Sequence, residues 1–269
     1  MNDRPDAAGL APAAGDGPPT AGWVVFGAGG HARSVVDVLE RLGASVVAVV
    51  GDAGGRAWPV DVLEDEDAGI ERVVTEGLHA VVAIGSSEAR LAVLGRLRTA
   101  AQRARTAAAA PSTESGAEVP SSVQNVPARS AQSTGGGDEV APAVVAATAT
   151  VAVGVELGPG TVVLEHAHVG PGSRLGAGVI VNTGAIVEHD CVVGEGSHVA
   201  PGAVLLGAAR IGARSFVGSG ARILPGVALG AGVTVGAGAV VTRSAPDGQT
   251  MVGVPARSAH QRLGRGTSQ

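Results

Sequence analysis

From Val145 onward every sixth residue is aliphatic: Val151, Leu157, Val163, Val169, Leu175, Val181, Val187, Val193, Val199, Leu205, Ile211, Val217, Ile223, Leu229, Val235 and Val241. All 17 positions are Val, Leu or Ile, and Gly stands three residues after the aliphatic one in 11 of the 17 hexads. Four residues after each of the first 16 stands Ala, Ser, Thr, Val or Cys. So short a period, held so long, is the mark of a solenoid. The physical reading is a left-handed parallel β-helix of triangular section, a hexapeptide repeat. Each hexad gives one flat strand and one corner, and three hexads complete a coil. The aliphatic side chain points inward, the small residue fits the corner, and Gly takes the strained backbone angles there.

The repeat also explains the composition. Of 269 residues 43 are Gly, and the only aromatics are Trp23, Phe26, Trp58 and Phe216. A mixed core normally draws its largest buried areas from Phe, Tyr and Trp, so Val, Ala, Leu and Ile must fill this one. All 19 basic residues are Arg, scattered singly in a chain of net charge −5. No basic stripe is present to neutralise several phosphates, which disfavours nucleic acid as a partner. No apolar run approaches the roughly 18 residues of a membrane span. The lone Cys191 excludes an internal disulfide framework and fits a reducing cytoplasm.

Ahead of the repeat the chain divides into three parts. Residues 1–21, rich in Ala, Pro, Gly and Asp, read as a disordered tail with no signal-peptide pattern. Residues 22–103 read as an α/β unit with a parallel sheet. It has a strand at Trp23–Phe26, a Gly turn, a helix over His31–Leu42 and a second strand at Val46–Val50. A third strand is expected at Val81–Ile84, then Gly85 and a helix over Glu88–Arg103. Residues 104–141 carry almost no large apolar residue and read as a low-complexity linker. The β-helix is expected over 142–258, with a short tail at 259–269.

Three interior hexads lack Gly at both of its favoured positions, those beginning at Val163, Val187 and Leu205. Repeats relax their rules chiefly at functional sites. The second of these carries Glu188-His189-Asp190, and Gly207 is expected to stack one coil above His189. An imidazole flanked by carboxylates is suited to general-base work near neutral pH, and a bare Gly207 N–H suits an oxyanion. Spacing alone leaves the plainer alternative open, that these are solvated corner residues. The same alternative stands for His198 and for Glu165, His166 and His168. Cys191 fills a corner slot, and Asn182-Thr183 lines either a subunit interface or a site wall. In the first unit, Gly27-Ala28-Gly29-Gly30-His31-Ala32 has two of the three glycines of a dinucleotide fingerprint. A helix N-terminus there favours an anion, and Asp52 at the end of the second strand suits a sugar hydroxyl. The alternative is a tight turn with no ligand.

Together these motifs resemble the bacterial sugar O/N-acyltransferase family, which includes UDP-4-amino-sugar N-acetyltransferases and sialic acid O-acetyltransferases. The resemblance covers residues 23–103 and 142–258. It rests on Val25-Phe26-Gly27-Ala28-Gly29-Gly30-His31-Ala32, Ala83-Ile84-Gly85, Val181-Asn182-Thr183, Glu188-His189-Asp190, Ser197-His198-Val199 and Val252-Gly253-Val254-Pro255-Ala256-Arg257. It implies a Rossmann-like domain joined to the β-helix, assembled as a homotrimer with active sites between prisms. His189 matches the catalytic base, Asp190 the acid that raises its basicity, and Gly207 the oxyanion donor. His198, with backbone near Ser219 and Ala237, matches acetyl-CoA-binding positions. Gly29, Gly30, His31, Asp52 and Gly85 match positions that hold a nucleotide-sugar. Where the family often shows two consecutive acids, this chain has Gly51-Asp52-Ala53.

The function expected is direct acetyl transfer from acetyl-CoA to an amine or hydroxyl of a sugar, with no metal. Two rivals use the same fold: a γ-type carbonic anhydrase with zinc held by histidines, and a non-catalytic scaffold whose first domain binds nucleotide.

Overall fold

The computed structural model describes residues 21–108 and 140–259. Nearly all of the two expected tails, and of the linker between the domains, lies outside the described residues.

The first unit is a four-stranded parallel sheet. Its elements are β1 (Trp23–Phe26), α1 (Gly30–Arg41), β2 (Val46–Val50), β3 (Asp61–Leu63), α2 (Glu66–Thr75), β4 (His79–Val82) and α3 (Ser87–Ala108). Strand order is β3-β2-β1-β4. The central strands β1 and β2 are wholly apolar and rich in Val because helices cover both faces. Ala32, Val35 and Leu39 of α1 pack on one side; Ile70, Val73, Val93 and Leu97 of α2 and α3 pack on the other. The N–H of Ala80 donates to the Val140 carbonyl at 2.7 Å, so the chain entering the second unit covers the exposed edge of β4.

Three details differ from expectation. β3 and α2 were not foreseen. The last strand sits at His79–Val82, which leaves Ile84 in the turn before α3. The linker begins later than residue 104, because α3 runs on through Ala108; alanine is the strongest helix former.

The second unit is the expected prism of about six left-handed coils. Its first face carries Val144–Val145, Val162–Val163, Ile180–Val181, His198–Val199, Phe216–Val217 and Thr234–Val235. The second face includes His168–Val169, Ile186–Val187 and Val204–Leu205; the third includes Arg174–Leu175, Val192–Val193 and Arg210–Ile211. Hydrogen-bonded strands are three hexads apart, as Ile180 with His198. The aliphatic residue of each interior hexad joins one continuous core. Small corner residues also satisfy the backbone: Ser173, Ser197 and Ser215 donate to the carbonyls of Glu188, Gly212 and Gly230 at 2.8, 2.8 and 3.0 Å.

Where interior hexads lost the corner Gly, the backbone kept its left-handed turn. His166, Asp190, Ala208 and Arg214 have φ of 58°, 59°, 58° and 55°. These are the non-Gly residues with positive φ among those described, and such a conformation costs an L-residue roughly 1–2 kcal/mol.

The two units share packing. Val144, Ala146, Val162 and Leu164 of the prism lie in the same apolar cluster as Val25, Ala32 and Val35. Helix α3 runs along the corner between the third and first faces. There a Cβ at Gly160 or Gly178 would stand 2.6 or 2.8 Å from Leu94, and one at Gly196 would stand 2.7 Å from Leu91.

Candidate active site

The first group of functional side chains sits on the corner between the second and third faces. His189 Nδ1 lies 2.8 Å from Asp190 Oδ2, with the two side chains 60% and 67% exposed. Asp190 reaches this position because its left-handed backbone folds the carboxylate back toward the preceding residue; Asp tolerates that conformation better than most. One coil above, a Cβ at Gly207 would stand 2.5 Å from His189 Nε2. Only glycine leaves this imidazole room, and the Gly207 amide is stripped of any side chain. The expected stacking of residues 189 and 207 is therefore observed. Beneath them Cys191 is buried, with its thiol donating to the Leu206 carbonyl at 3.4 Å, and burial raises its pKa.

The second group lies on the opposite side of the prism, where the first face meets the α/β unit. The rings of His31 and His198 have centroids 6.3 Å apart. Phe216, one coil above, meets the His198 ring edge-on at 5.3 Å. Asn182 Oδ1 accepts from the Thr183 N–H at 2.8 Å, which fixes the amide so that its Nδ2 donates to His198 Nε2 at 3.0 Å. In the neutral ring the proton therefore resides on Nδ1. Burial pushes the His198 imidazole down to about 4, helped by His31 and Arg90; burial and then Arg90 push His31 down to about 4 as well. Both rings are neutral at pH 7. His31 Nε2 is buried and has no hydrogen-bond partner.

Beside them, Gly29 caps α1 with no side-chain hydrogen bond, and the first turn carries no acid. Its leading N–H groups are thus available to an anion. A Cβ at Gly29, Gly30 or Gly85 would meet nothing within 4 Å. Packing inside the protein does not demand glycine at these positions, which leaves the backbone open to close approach by a ligand. Asp52 Oδ1 accepts from the Gly54 N–H at 2.7 Å and shapes the turn after β2. Ser219 and Ala237 are exposed, one coil apart, on the corner between the first and second faces.

Within one chain, then, His189 joins Asp190 and Gly207, while His31 joins His198 and the glycine turn. The two groups do not meet: one occupies a corner, the other the face across from it. His166 is exposed and His168 half-buried, and among the described residues no three His, Cys, Asp or Glu side chains could hold a metal ion.

Sequence reasoning missed Arg90. It is fully buried between the two units and donates to four backbone carbonyls. A single arginine in an amphipathic helix carries no signal of burial, so only the docked structure discloses it.

Comparison with known proteins finds relatives for both units. A family described as the PglD N-terminal domain matches residues 23–97, and one described as bacterial transferase hexapeptide (six repeats) matches residues 208–243. PerB from Caulobacter crescentus, solved with CoA and GDP-perosamine, is 33% identical, with 88% of this chain and 97% of that one covered and a TM-score of 0.68. The acetyltransferase domain of PglB from Neisseria gonorrhoeae, solved with acetyl coenzyme A, is 29% identical, with 89% and 99% covered and a TM-score of 0.71. WeeI from Acinetobacter baumannii, at 19% identity and a TM-score of 0.51, shares the fold over 89% of this chain and all of its own. No curated protein sequence matches the chain.

An α/β unit docked on a hexad prism, with these relatives, defines an acyltransferase of the hexapeptide-repeat class. More narrowly, the chain belongs to the bacterial sugar O/N-acyltransferase family.

Proposed function

We propose that the chain transfers an acetyl group from acetyl-CoA directly to an amine or hydroxyl of a nucleotide-activated sugar, with His189 as general base. The observation that carries this reading is the pairing of His189 with Gly207. Asp190 occupies Nδ1 at 2.8 Å, which leaves Nε2 as the atom that accepts a proton, beside a backbone amide bare of side chain.

In the proposed reaction the acceptor nitrogen or oxygen attacks the thioester carbonyl carbon as its proton passes to His189 Nε2. Negative charge gathers on the former carbonyl oxygen, where the Gly207 N–H donates to it. Asp190 holds the ring in one tautomer and stabilises the imidazolium. Collapse of the tetrahedral intermediate breaks the carbon–sulfur bond, and the proton returns to the departing thiolate as free CoA. The acceptor's diphosphate is assigned to Gly29, Gly30 and Gly85, with His31 and Asp52 toward its sugars. Acetyl-CoA is assigned to His198 and the backbone near Ser219 and Ala237. PerB, solved with CoA and GDP-perosamine, supports the choice of these two classes of ligand.

The prism's geometry adds a requirement. His189 stands on the corner across from the face that bears His31 and His198, so base and acceptor meet only where two copies abut. This supports a homotrimer with sites between neighbouring chains. Work on a nucleotide-sugar fits a cytoplasmic enzyme, and no described helix is long and apolar enough to cross a membrane.

The test is release of free thiol from acetyl-CoA with a panel of UDP- and GDP-linked amino sugars and free sialic acid. At least one acceptor should support turnover, and His189→Ala should lower it by about 10² to 10⁴. A His189→Ala protein of native mass that keeps near-normal turnover removes the mechanism.

A further inference from the structure

We infer that Arg90 is a positioning residue: its guanidinium fastens the Ile84-Gly85 turn of the α/β unit to the coils that present His198, and so fixes the nucleotide-sugar turn relative to the transfer site. The inference rests on the acceptor assignment above and goes beyond it, because Arg90 touches neither substrate.

The geometry is specific. Nη1 donates to the carbonyls of Ile84 and Gly85 at 2.6 and 3.0 Å. Nε donates to Gly178 at 2.7 Å, and Nη2 donates to Gly196 at 2.6 Å. Two acceptors thus belong to the turn between β4 and α3, and two belong to successive coils of the prism. Gly196 is two residues before His198, and Gly85 is one of the open glycines assigned to the acceptor. A planar fork of five N–H groups in fixed directions can join four carbonyls on three separate segments; an ammonium on a flexible stem cannot.

The arrangement is also costly. Arg90 has no exposed surface, and among the described residues no carboxylate pairs with it. Burial lowers its pKa to about 10, so it remains charged at neutral pH, with backbone carbonyls in place of a carboxylate as its hydrogen-bond partners. For adhesion alone, apolar side chains of similar volume serve as well or better. Leu91 and Leu94 already make such contacts on either side, against Gly160, Gly178 and Gly196. What four directed hydrogen bonds add to that seam is register between the turn and the coil.

Steady-state kinetics on the full chain, with Arg90→Lys, Arg90→Met and a Leu94→Ala control, tests this. Each protein is assayed well below its melting temperature. Both Arg90 variants should raise KM for the nucleotide-sugar about tenfold while KM for acetyl-CoA, held by the prism, stays within about twofold. Leu94→Ala should lose thermal stability and keep both constants. Calorimetric binding of UDP and GDP alone supplies a readout independent of transfer, and the nucleoside diphosphate that wild type binds should bind about tenfold more weakly to the Arg90 variants. Should Arg90→Met not fold, Arg90→Lys and Arg90→Gln are read in the same way. Unchanged acceptor KM and diphosphate affinity in folded Arg90 variants overturns the inference. So does a matching rise in KM for Leu94→Ala, since any loosening of the seam would then suffice. A wild-type protein that binds diphosphate and transfers nothing contradicts the proposed function instead, and leaves the binding arm to judge Arg90.

Discussion

Gly207 stands one coil above His189, so close that a methyl group on it would lie 2.5 Å from the imidazole Nε2. Its φ is not positive, so backbone conformation does not demand glycine here; the ring below does. Gly207→Ala should therefore fold normally and displace His189. A loss of activity of about 10²-fold or more is expected, with a melting temperature close to wild type. Full activity in the alanine variant would show that the ring need not lie beneath that amide.

Asp190 performs two tasks, left-handed backbone at φ 59° and a 2.8 Å contact to Nδ1. Asn shares the first ability and lacks the charge. Asp190→Asn should hold stability within about 0.5 kcal/mol of wild type and lower kcat by about 10²-fold. Asp190→Ala should lose as much activity and also about 1 kcal/mol of stability from backbone strain. Urea titrations beside kinetics on both proteins separate the tasks.

The buried histidine pair makes stability depend on pH. His31 and His198 titrate near 4 in the native chain against an ordinary 6.5, so between these values the unfolded chain binds more protons. Their contribution is complete above pH 6.5 and fades as pH falls toward 4, by up to about 3 kcal/mol for each ring. Urea unfolding at pH 7 and pH 5 should show the decline, and a His31→Gln, His198→Gln double variant should flatten it. Equal slopes in the two proteins would mean that the rings are not held neutral by burial.

The seam between the units can be probed at two glycines of the same corner. Gly178 has φ 63° and would press a Cβ to 2.8 Å from Leu94, while Gly232 has φ 65° and open space around it. Gly232→Ala should cost the left-handed strain alone, about 1–2 kcal/mol. Gly178→Ala should cost about 1–3 kcal/mol more, as α3 is pushed off the corner. Chemical denaturation of both variants measures the difference.

How far this molecule could be read from its sequence follows from the range of the interactions involved. The prism was legible because each inward residue is dictated by its own hexad and by an equivalent neighbour one coil away. The His189–Asp190–Gly207 group was legible for the same reason, since a fixed repeat converts spacing into stacking. The short β3 and α2 carry acidic residues and a glycine at Gly69, and no clear period. Gly69 is there for close approach, because a Cβ would stand 2.7 Å from Val50, a contact that exists only after folding. The His31–His198 pair and the Arg90 clasp were hidden more deeply. Both arise where two units dock, and no local pattern encodes the docking.

The prism behaves like a dial with three stops. Because the chain returns to its starting direction after every third hexad, as Ile180 does at His198, removing one hexad between His198 and Ser219 would turn everything downstream by a third of a revolution. Ser219 and Ala237 would then face another side and lose their alignment with His198. Removing a whole coil would restore the direction and merely shorten the rod. Length changes in this chain should therefore be tolerated in whole revolutions and punished in fractions.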